Sequence, residues 1–511
     1  MEYYPWWNDA QKKLAEDVKQ FTDEVLIPIC EKDALKKVYP WKALKEIGKK
    51  GYFGAQIPAK YGGRAEEWGV TGACIILEEL SRAGEVAAPV STTMIGGVHQ
   101  ILHDGTEDQK RRWLPKLATG ELLGSITMTE PFAGSDISAI ETTAVRDGDN
   151  YIINGKKRYQ TCAAAADVYM TYVRTSNKPE DLTKYKHLTA LIVEKGAKGF
   201  TVERVNDLVG LDGIYNVYMD YSNAKIPVSN RIGEEGAGWT VMMSGLNVER
   251  VCNAAGPLGA MREGIRYATQ HLQRRIQFGK PTGDLATNQF KLSDMIWRLK
   301  IARILTYYAA YCCDLGRDVP VEAAISKMFN TDMGLMSAID AVQLMGGNGV
   351  TKLYPVERLF RDGKLGQIAA GTSEVLKLLI YRQGLRELMP DLKVPYRVMD
   401  EELQVPLPAG KFPEKKKVTK AEDVLKVLAE DYRVNPGLYM TVGDLKDLLD
   451  VADADLSGYM MGLEKEGLIA VHKDRKGNPA MLRATYKGLA AANAPEYYRH
   501  IPAWVDPKDT F

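Results

Sequence analysis

Apolar residues recur at helical spacing in the first 122 residues of the chain. They do so in Ala10–Ile29, Thr71–Ala83 and Val90–Leu102, where the next apolar position follows after three or four residues. Tyr61–Gly63 is a glycine-rich break between such segments. The pattern predicts an N-terminal α-helical domain over residues 1–122.

The pattern changes between residues 123 and 236. Asp147–Asn150 and Asn154–Gly155 are typical of the turns that join the two strands of a hairpin. Short runs rich in β-branched and aromatic residues, which favour strands, lie between and after these turns. These runs are Tyr151–Ile153, Val168–Val173, His187–Val193 and Asn216–Tyr221. We therefore predict a compact, β-barrel-like domain over residues 123–236.

Long helical patterns return in residues 237–388. They cover Trp239–Gln277, Gln289–Leu315 and Val321–Leu344, and Gly346–Gly349 interrupts them. Long helical segments joined by short loops pack as antiparallel neighbours. A C-terminal four-helix bundle is therefore predicted here.

The remaining residues indicate a linker and a small separate domain. Residues 389–419 are rich in proline and charge, which is typical of a linker. Residues 420–511 contain three helical segments followed by two strand-like runs, an order that resembles a winged helix. These are Val424–Leu428, Val442–Leu449, Leu456–Leu463, Gly467–His472 and Ala480–Thr485. The predicted fold class is multidomain α+β, with an N-terminal helical domain, a central β domain, a C-terminal four-helix bundle and a small winged-helix-like tail.

Composition narrows the classes of function. The chain has 511 residues, 45% of them hydrophobic and 26% charged, and a formal net charge of +1. This balance is ordinary for a globular protein and gives no general attraction to nucleic acid or anionic membranes. The six cysteines are scattered without a C-x-x-C motif, which favours a reducing compartment. No apolar run approaches the ~20 residues that span a bilayer, and the first residues lack an export pattern. We expect a cytoplasmic protein with no membrane insertion.

Two further signals point away from particular partners. His99 and His103 are spaced like a helical ligand pair, but no third ligand is evident, so no metal is expected. In a winged helix that reads DNA, the recognition helix is expected to be basic. The corresponding segment here, Asp455–Glu466, is acidic. We therefore favour a protein-contact or oligomer role for the tail and expect no nucleic-acid partner, although DNA binding stays open.

Several segments carry candidate chemistry. In Met128–Asp136, Gly134 and Ser135 permit a tight turn that offers N–H and hydroxyl donors to a ligand, although a simple capped turn has the same pattern. Glu249 lies within a helical pattern beside small or weakly polar residues, where burial would raise a carboxyl pKa toward that of a base. A surface glutamate paired with its neighbour Arg250 is the plainer alternative.

These segments, taken with others in the same order, resemble the acyl-CoA dehydrogenase family. Met128–Asp136 resembles T-E-P-x-A-G-S-D, and Tyr159–Thr161 stands at the position of W-I-T. Arg275–Gly279 matches R-x-x-F-G, and Gly371–Glu374 matches the segment that closes over flavin and substrate. The resemblance covers about residues 8–388. It implies the three-domain fold of that family and an FAD cofactor.

The resemblance also implies which residues contact FAD. Arg275, Gln289 and Gln343–Gly347 would contact the FAD of a neighbouring subunit, which implies a homo-oligomer, either a dimer or a tetramer. Tyr159 replaces the usual tryptophan against the flavin and keeps a stacking surface. The implied FAD-binding residues are Met128, Thr129, Ser135, Tyr159, Thr161, Arg275, Phe278, Gln289, Gln343, Gly346, Gly347, Thr372 and Glu374.

The catalytic base is the point at which this chain differs from most of the family. Ala370 stands where most members carry the catalytic glutamate. The isovaleryl-CoA dehydrogenase branch takes its base from the position that Glu249 occupies here. The Ala370 N–H would still polarise the thioester carbonyl, with a ribityl hydroxyl of FAD, as an oxyanion-hole donor. Ser135, Arg250 and Gly371 would contact the substrate.

The function that the resemblance implies is α,β-dehydrogenation of an acyl-CoA thioester with a short, branched or cyclic acyl group. Glu249 would take the proton, flavin N5 the hydride, and an electron-transfer flavoprotein the electrons. Asp212 and Ile214 depart from the family pattern M-G-x-R-x-S, which makes a standard fatty acyl group a weaker expectation. The alternatives are an enoyl-CoA reductase, and a flavin-containing scaffold or nucleic-acid-associated protein that acts through its C-terminal domain.

Overall fold

The computed structural model describes residues 3–34, 37–392, 399–400, 405–406, 414–434, 437–474 and 476–492. The chain divides into two compact units, residues 1–385 and 386–511. No helix in the described ranges is long and apolar enough to cross a membrane.

The first part of the larger unit is helical, as predicted. Two of its helices begin with reciprocal caps, because Asn8 and Gln11, and likewise Thr106 and Gln109, exchange side-chain and backbone hydrogen bonds. The helices are α1 (Asp9–Phe21), α2 (Ile27–Ala34), α3 (Trp41–Lys49), α4 (Gly69–Leu80), α5 (Ala87–Ile95), α6 (Val98–Asp104) and α7 (Glu107–Thr119).

A single eight-stranded sheet forms the middle part. Its order is β6-β7-β3-β2-β4-β5-β8, and β1 pairs with β4 outside this path. The strands are β1 (Gly124–Thr127), β2 (Thr143–Asp147), β3 (Asn150–Gln160), β4 (Val168–Arg174), β5 (Leu188–Glu194), β6 (Phe200–Val205), β7 (Val217–Pro227) and β8 (Arg231–Ile232), and α8 (Pro179–Thr183) lies between β4 and β5.

The sheet contains more strands than the sequence predicted. Among the described residues its hydrogen-bonded path ends at β6 and β8. The predicted runs correspond to β3, β4, β5 and β7, whereas β1, β2, β6 and β8 were not predicted as strands. β1 is short and pairs in parallel with β4, Gly124 opposite Val168, and a partner so distant in sequence leaves no local periodicity.

Long helices form the third part, and they agree with the predicted bundle. α9 alone has 37 residues. The helices are α9 (Gly238–Arg274), α10 (Ala286–Asp314), α11 (Pro320–Met345), α12 (Val356–Gly366), α13 (Ser373–Leu379) and α14 (Leu385–Leu392), and a small hairpin of β9 (Ile276–Gln277) and β10 (Lys280–Pro281) joins α9 to α10.

A buried charge network joins α4 to the bundle. Glu78 is fully buried on α4, and Tyr307 of α10 donates a 2.7 Å hydrogen bond to it. Arg262 of α9 lies 3.0 Å from the same carboxylate, and Arg303 of α10 lies 3.3 Å from it. Burying such charges costs free energy unless they are paired, so this arrangement fixes how the three helices pack.

The smaller unit has its own apolar core, built around Leu425, Leu445, Leu456 and Leu482. Three helices precede a two-stranded hairpin, in the predicted order, and β14 adds a third strand to that hairpin. The predicted linker, residues 389–419, lies mostly outside the described residues. The elements are β11 (Met399–Asp400), β12 (Val405–Pro406), β13 (Lys416–Lys417), α15 (Ala421–Val434), β14 (Met440–Thr441), α16 (Val442–Leu448), β15 (Leu449–Asp450), α17 (Asp453–Lys465), β16 (Ile469–Lys473), β17 (Pro479–Ala484) and α18 (Tyr486–Ala491).

Candidate active site

Glu249 lies in the N-terminal third of α9 and is partly buried. Burial raises the pKa of its carboxyl to about 7, against the opposing effects of the positive charges of Arg250 and Lys327. The rise anticipated from the sequence is therefore found. A carboxyl with a pKa near neutrality is ionised part of the time at working pH and still basic enough to accept a proton.

On α9, polar side chains of neighbouring helices contact the positions one turn before and one turn after Glu249. A Cβ at Gly245 would lie 2.4 Å from Gln100 Nε2, so the Gln100 amide of α6 lies directly against α9 at this glycine. One turn beyond Glu249, Asn253 Oδ1 accepts a hydrogen bond of 3.3 Å from Ser91 Oγ of α5. Glu249 therefore lies on α9 between the point of contact with α6 and the point of contact with α5.

Ala370 and Gly371 form a left-handed turn before α13. Their φ angles are +55° and +94°, and the left-handed region is uncommon for a residue with a side chain. Thr372 then caps α13 by accepting from the N–H of Val375 at 3.3 Å, and Glu374 lies in the first helical turn. Among the described residues, the Ala370 N–H donates to no backbone acceptor, which leaves it available to a ligand.

Two residues of α11 hold this turn, and the sequence did not indicate either of them. Asp332 Oδ1 accepts from Gln367 Nε2 and from Ser373 Oγ, each at 2.8 Å. Lys327 Nζ donates to the Gly371 carbonyl at 2.8 Å. The positive charge of Lys327 also lowers the pKa of Glu249. The structure thus brings Glu249, Arg250, Gly371 and Thr372 into one region, around a lysine that looked like an ordinary bundle residue.

The Met128–Glu130 loop is held by a fully buried lysine. Lys157 Nζ donates to the Met128 carbonyl at 3.0 Å, to Glu130 Oε1 at 2.8 Å and to the Tyr172 carbonyl at 2.7 Å. Burial lowers the pKa of Lys157 to about 8, with Glu130 opposing the change. Glu130 in turn accepts from the N–H of Glu141 at 2.6 Å. The glutamate of the T-E-P motif is therefore an internal anchor.

Gln160 joins this loop to the strand that carries Tyr159 and Thr161. Its Oε1 accepts from the Met128 N–H at 3.3 Å, and its Nε2 donates to the Thr129 carbonyl at 2.8 Å. Tyr159 has a φ of +62° and is half exposed. Met128, Thr129, Tyr159 and Thr161 are therefore close together. Backbone strain of this kind persists only where the surroundings enforce it and often marks a binding site.

Ser135 lies at the exposed end of the same loop. It and Gly134 are both exposed, and a Cβ at Gly134 would meet nothing within 4 Å. The turn is therefore open to solvent, as a ligand-binding turn has to be.

The remaining predicted cofactor residues lie at the other end of α9. All of them are exposed, and a Cβ at either glycine would meet nothing within 4 Å. At roughly 1.5 Å per residue, Arg275 is about 40 Å along the helix axis from Glu249. Within one chain, Arg275 and the other exposed residues at this end of α9 therefore do not lie near Glu249. The residues at this end are Arg275, Phe278, Gln289, Gln343, Gly346 and Gly347.

Asp212, which departs from the family pattern, is not a free charge. Its carboxylate lies 3.0 Å from Arg361 and 3.1 Å from Lys37. The next residue back, Leu211, donates its N–H to Asp362 Oδ1 at 2.6 Å, and Ile214 is buried. Asp212 is therefore paired with two cations within the chain, and the expectation about the acyl group stays a prediction. The segment anchors the β-sheet part to α12.

The described residues contain no group of three or more His, Cys, Asp and Glu side chains that could hold a metal ion. His99 and His103, the pair noted in the sequence, stack with ring centroids 4.2 Å apart. Burial lowers the pKa of His99 to about 4, and the neighbouring charge of His103 adds to this effect.

Three family models match the chain in order. They are the acyl-CoA dehydrogenase N-terminal domain at residues 8–121, the middle domain at residues 125–224 and the C-terminal domain at residues 236–385. An acyl-CoA dehydrogenase of Bacillus subtilis (strain 168) is 37% identical over 368 residues, which cover 71% of this chain and 94% of the relative. The mitochondrial isovaleryl-CoA dehydrogenase of Arabidopsis thaliana is 34% identical over 387 residues, with coverage of 75% and 92%.

The fold agrees with these matches. The structure of butyryl-CoA dehydrogenase from Megasphaera elsdenii aligns with a TM-score of 0.72 at 33% identity, and covers 76% of this chain and 100% of that one. Because all three domains match in order, and the relatives are matched over nearly their whole length, the chain belongs to the acyl-CoA dehydrogenase family.

Proposed function

We propose that this FAD-dependent acyl-CoA dehydrogenase uses Glu249 to remove the α-proton of its thioester substrate. The observation that carries the proposal is the pKa of about 7 at Glu249, in a site where Ala370 replaces the usual carboxylate. Alanine cannot accept a proton, so the base has to come from another element. The positive charge of Lys327 lowers the pKa of Glu249, and its ammonium group donates a hydrogen bond to the Gly371 carbonyl. These two interactions support the placement of Glu249 and Gly371 at one site.

The Ala370 N–H is the proposed donor to the thioester oxygen. Removal of the α-proton develops negative charge on that oxygen, and a preorganised N–H stabilises the charge by about 3–4 kcal/mol. The left-handed turn at Ala370 and Gly371 holds the donor without any contribution from a side chain. FAD, when bound, accepts the hydride that leaves the β-carbon.

The residues present fit FAD in two groups. Met128, Thr129, Ser135, Tyr159 and Thr161 of the β-sheet part would hold the flavin ring, with Thr372 and Glu374 of α13 near the phosphates. Arg275 is exposed and makes no ion pair within the described residues, and its guanidinium matches the geometry of a pyrophosphate.

We propose that the second group serves the FAD of another subunit, so the enzyme is a homo-oligomer. Arg275 lies about 40 Å along α9 from Glu249, the proposed base at the flavin end of the site, and this separation supports the proposal. α10 also exposes an apolar stripe at the spacing of a helix–helix interface. Its members are Phe290, Trp297, Ile301, Ile304 and Tyr308.

The proposed substrate carries a short, branched or cyclic acyl group, and the proposed electron acceptor is an electron-transfer flavoprotein. The name of the isovaleryl-CoA dehydrogenase relative supports a branched acyl group, and the base on α9 agrees with that branch. All six cysteines are free thiols, which supports a reducing compartment such as the cytoplasm.

We propose that the smaller unit is a winged-helix-like module for protein contact. Three helices and a hairpin in order support it. Asp453 and Asp455 begin α17, the helix that would read DNA, and Met461 is its exposed apolar residue. An acidic helix with an apolar surface suits a protein partner better than a phosphate backbone.

Anaerobic bleaching of the oxidised flavin by a panel of saturated CoA thioesters tests the central proposal. We expect one class of thioester to bleach the wild-type flavin rapidly. Glu249→Gln should keep its FAD and lose bleaching by at least 10³-fold, because the amide cannot accept the α-proton. Glu180→Gln, at an exposed position of α8, is the matched control and should bleach normally. Wild-type rates in Glu249→Gln would refute the assignment of the base.

A further inference from the structure

We propose that Lys327 is a positioning residue for α-proton abstraction: its ammonium group fixes the Ala370–Gly371 turn and places a positive charge beside Glu249. The proposal rests on the proposed function, because it assigns Lys327 a role in that same reaction. Lys327 lies on α11, a helix that the sequence pattern predicted as part of the bundle.

The burial of Lys327 requires an explanation. Its side chain is 1% exposed, and lysine is almost never fully buried without partners. The hydrogen bond of Lys327 that the structure shows runs from Nζ to the Gly371 carbonyl at 2.8 Å. A backbone carbonyl does not neutralise an ammonium charge, so packing alone does not account for a cation at this position.

The bond falls on the turn that carries the proposed oxyanion donor. The Gly371 carbonyl belongs to the Gly371–Thr372 peptide, two peptides after the Ala369–Ala370 peptide whose N–H is that donor. Ala370 has a φ of +55°, a conformation that costs about 1–3 kcal/mol and persists only when its surroundings enforce it. Lys327 holds the carbonyl of the next residue, Gly371, and so restrains the turn on the C-terminal side of the strained residue. Asp332, five residues later on α11, holds Gln367 and Ser373 on either side of it.

The charges around Lys327 are distributed unevenly. Asp332, Glu249 and Glu374 favour its charged form, and Arg250 opposes it. Around Glu249, the positive charges that favour ionisation are Arg250 and Lys327. Tyr172 of β4 also lies close enough for the Glu249 charge to affect it. Lys327 therefore connects the base to the turn, and a change in its charge affects both.

The test compares Lys327→Met and Lys327→Arg with the wild-type holoenzyme. Anaerobic flavin bleaching by the best thioester is followed from pH 5.5 to 9.5. The variant Lys50→Met, which breaks a half-exposed pair with Asp17, is the control and should match the wild type.

For Lys327→Met we expect kcat to fall roughly 100-fold with little change in KM, the loss typical of a misplaced reacting group. The acid limb of kcat/KM should move to higher pH, because removal of a positive charge raises the pKa of Glu249. Lys327→Arg keeps the charge and should keep the acid limb in place. Burial lowers the pKa of the wild-type lysine to about 8, so the wild-type enzyme should lose rate as this lysine is deprotonated near pH 8. The Lys327→Arg variant stays charged and should show no such loss.

A second measurement isolates proton removal from hydride transfer. A thioester with sulfur in place of the β-carbon can lose its α-proton but has no β-hydride to transfer. Its ionisation on the enzyme is read from the flavin absorbance change at each pH. We expect the bound analogue to ionise at higher pH in Lys327→Met than in the wild type.

The outcomes are distinguishable. A purely structural lysine would lower thermal stability and FAD content in Lys327→Met without moving the acid limb or the ionisation of the analogue, and this result would overturn the proposal. If Lys327→Met does not fold, Lys327→Arg decides: an unchanged loss of rate near pH 8 would also overturn it. Failure of the proposed function itself looks different, because no thioester would then bleach the wild-type flavin.

Discussion

Two residues carry the proposed mechanism. Ala370 stands where most of the family has a carboxylate, and Glu249 of α9, whose pKa is raised by burial to about 7, is the proposed replacement. Three positions of the candidate site, Tyr159, Phe278 and Ala370, have a positive φ although they are not glycine. Strain at these points fits a site whose backbone is shaped for a ligand.

The pH dependence of the reaction follows from Glu249. A base works in its ionised form, so kcat/KM for flavin bleaching should rise with pH through about 7 and fall tenfold per unit below it. The sign follows from burial, which raises the pKa of Glu249 from its ordinary value near 4.5. Stopped-flow bleaching between pH 5.5 and 7.5 measures this limb. A profile that stays flat down to pH 5.5 would mean that an ordinary exposed carboxyl, or none, acts as base.

At the scale of elements, buried polar contacts set how the helices and the sheet meet. Lys157 and Glu130 hold the Met128–Glu130 loop, and Lys327 and Asp332 hold the turn before α13. Glu78 of α4 does the same for α4, α9 and α10 through Arg262 and Arg303. These contacts join residues far apart in sequence, so no local pattern announces them.

Glu78→Ala should destabilise the larger unit by about 3–5 kcal/mol, because it leaves the buried guanidinium of Arg303 and the partly buried one of Arg262 without this carboxylate. Urea unfolding followed by tryptophan fluorescence measures the change. Glu46→Ala is the control, since it removes a carboxylate from the exposed pair with Lys49 on α3 and should cost about 0.2–1 kcal/mol. Equal effects in the two variants would contradict a special role for the Glu78 network.

At the scale of the whole molecule, the distribution of predicted FAD contacts supports the proposed homo-oligomer. Residues at the far end of α9 are exposed, and in the proposal they would contact the FAD of a second copy. The apolar stripe on α10 is the surface proposed for packing of that copy.

Phe290→Asp should dissociate the oligomer and lower the FAD content together, because a charge in the apolar stripe opposes association and removes the second set of FAD contacts. Sedimentation velocity gives the assembly state, and flavin absorbance per chain gives the occupancy. A chain that ends at residue 388 is the comparison, since it lacks the smaller unit and should keep both properties. Loss of FAD from a variant that stays assembled would refute the shared site.

The sequence by itself determined the order of helical and β regions, the long helices of the bundle, and the family motifs. These features follow from local periodicity and from residues that stand close together along the chain. It also led to the proposal of Glu249 as the base, because the family register puts Ala370 where most members have a carboxylate. Only the tertiary structure showed the contacts of Lys327, Asp332, Lys157 and the paired Asp212. These contacts join residues that are tens or hundreds of positions apart in the sequence. The local sequence around a lysine or an aspartate does not reveal whether its side chain is solvated, bonded to a carbonyl or paired with an opposite charge.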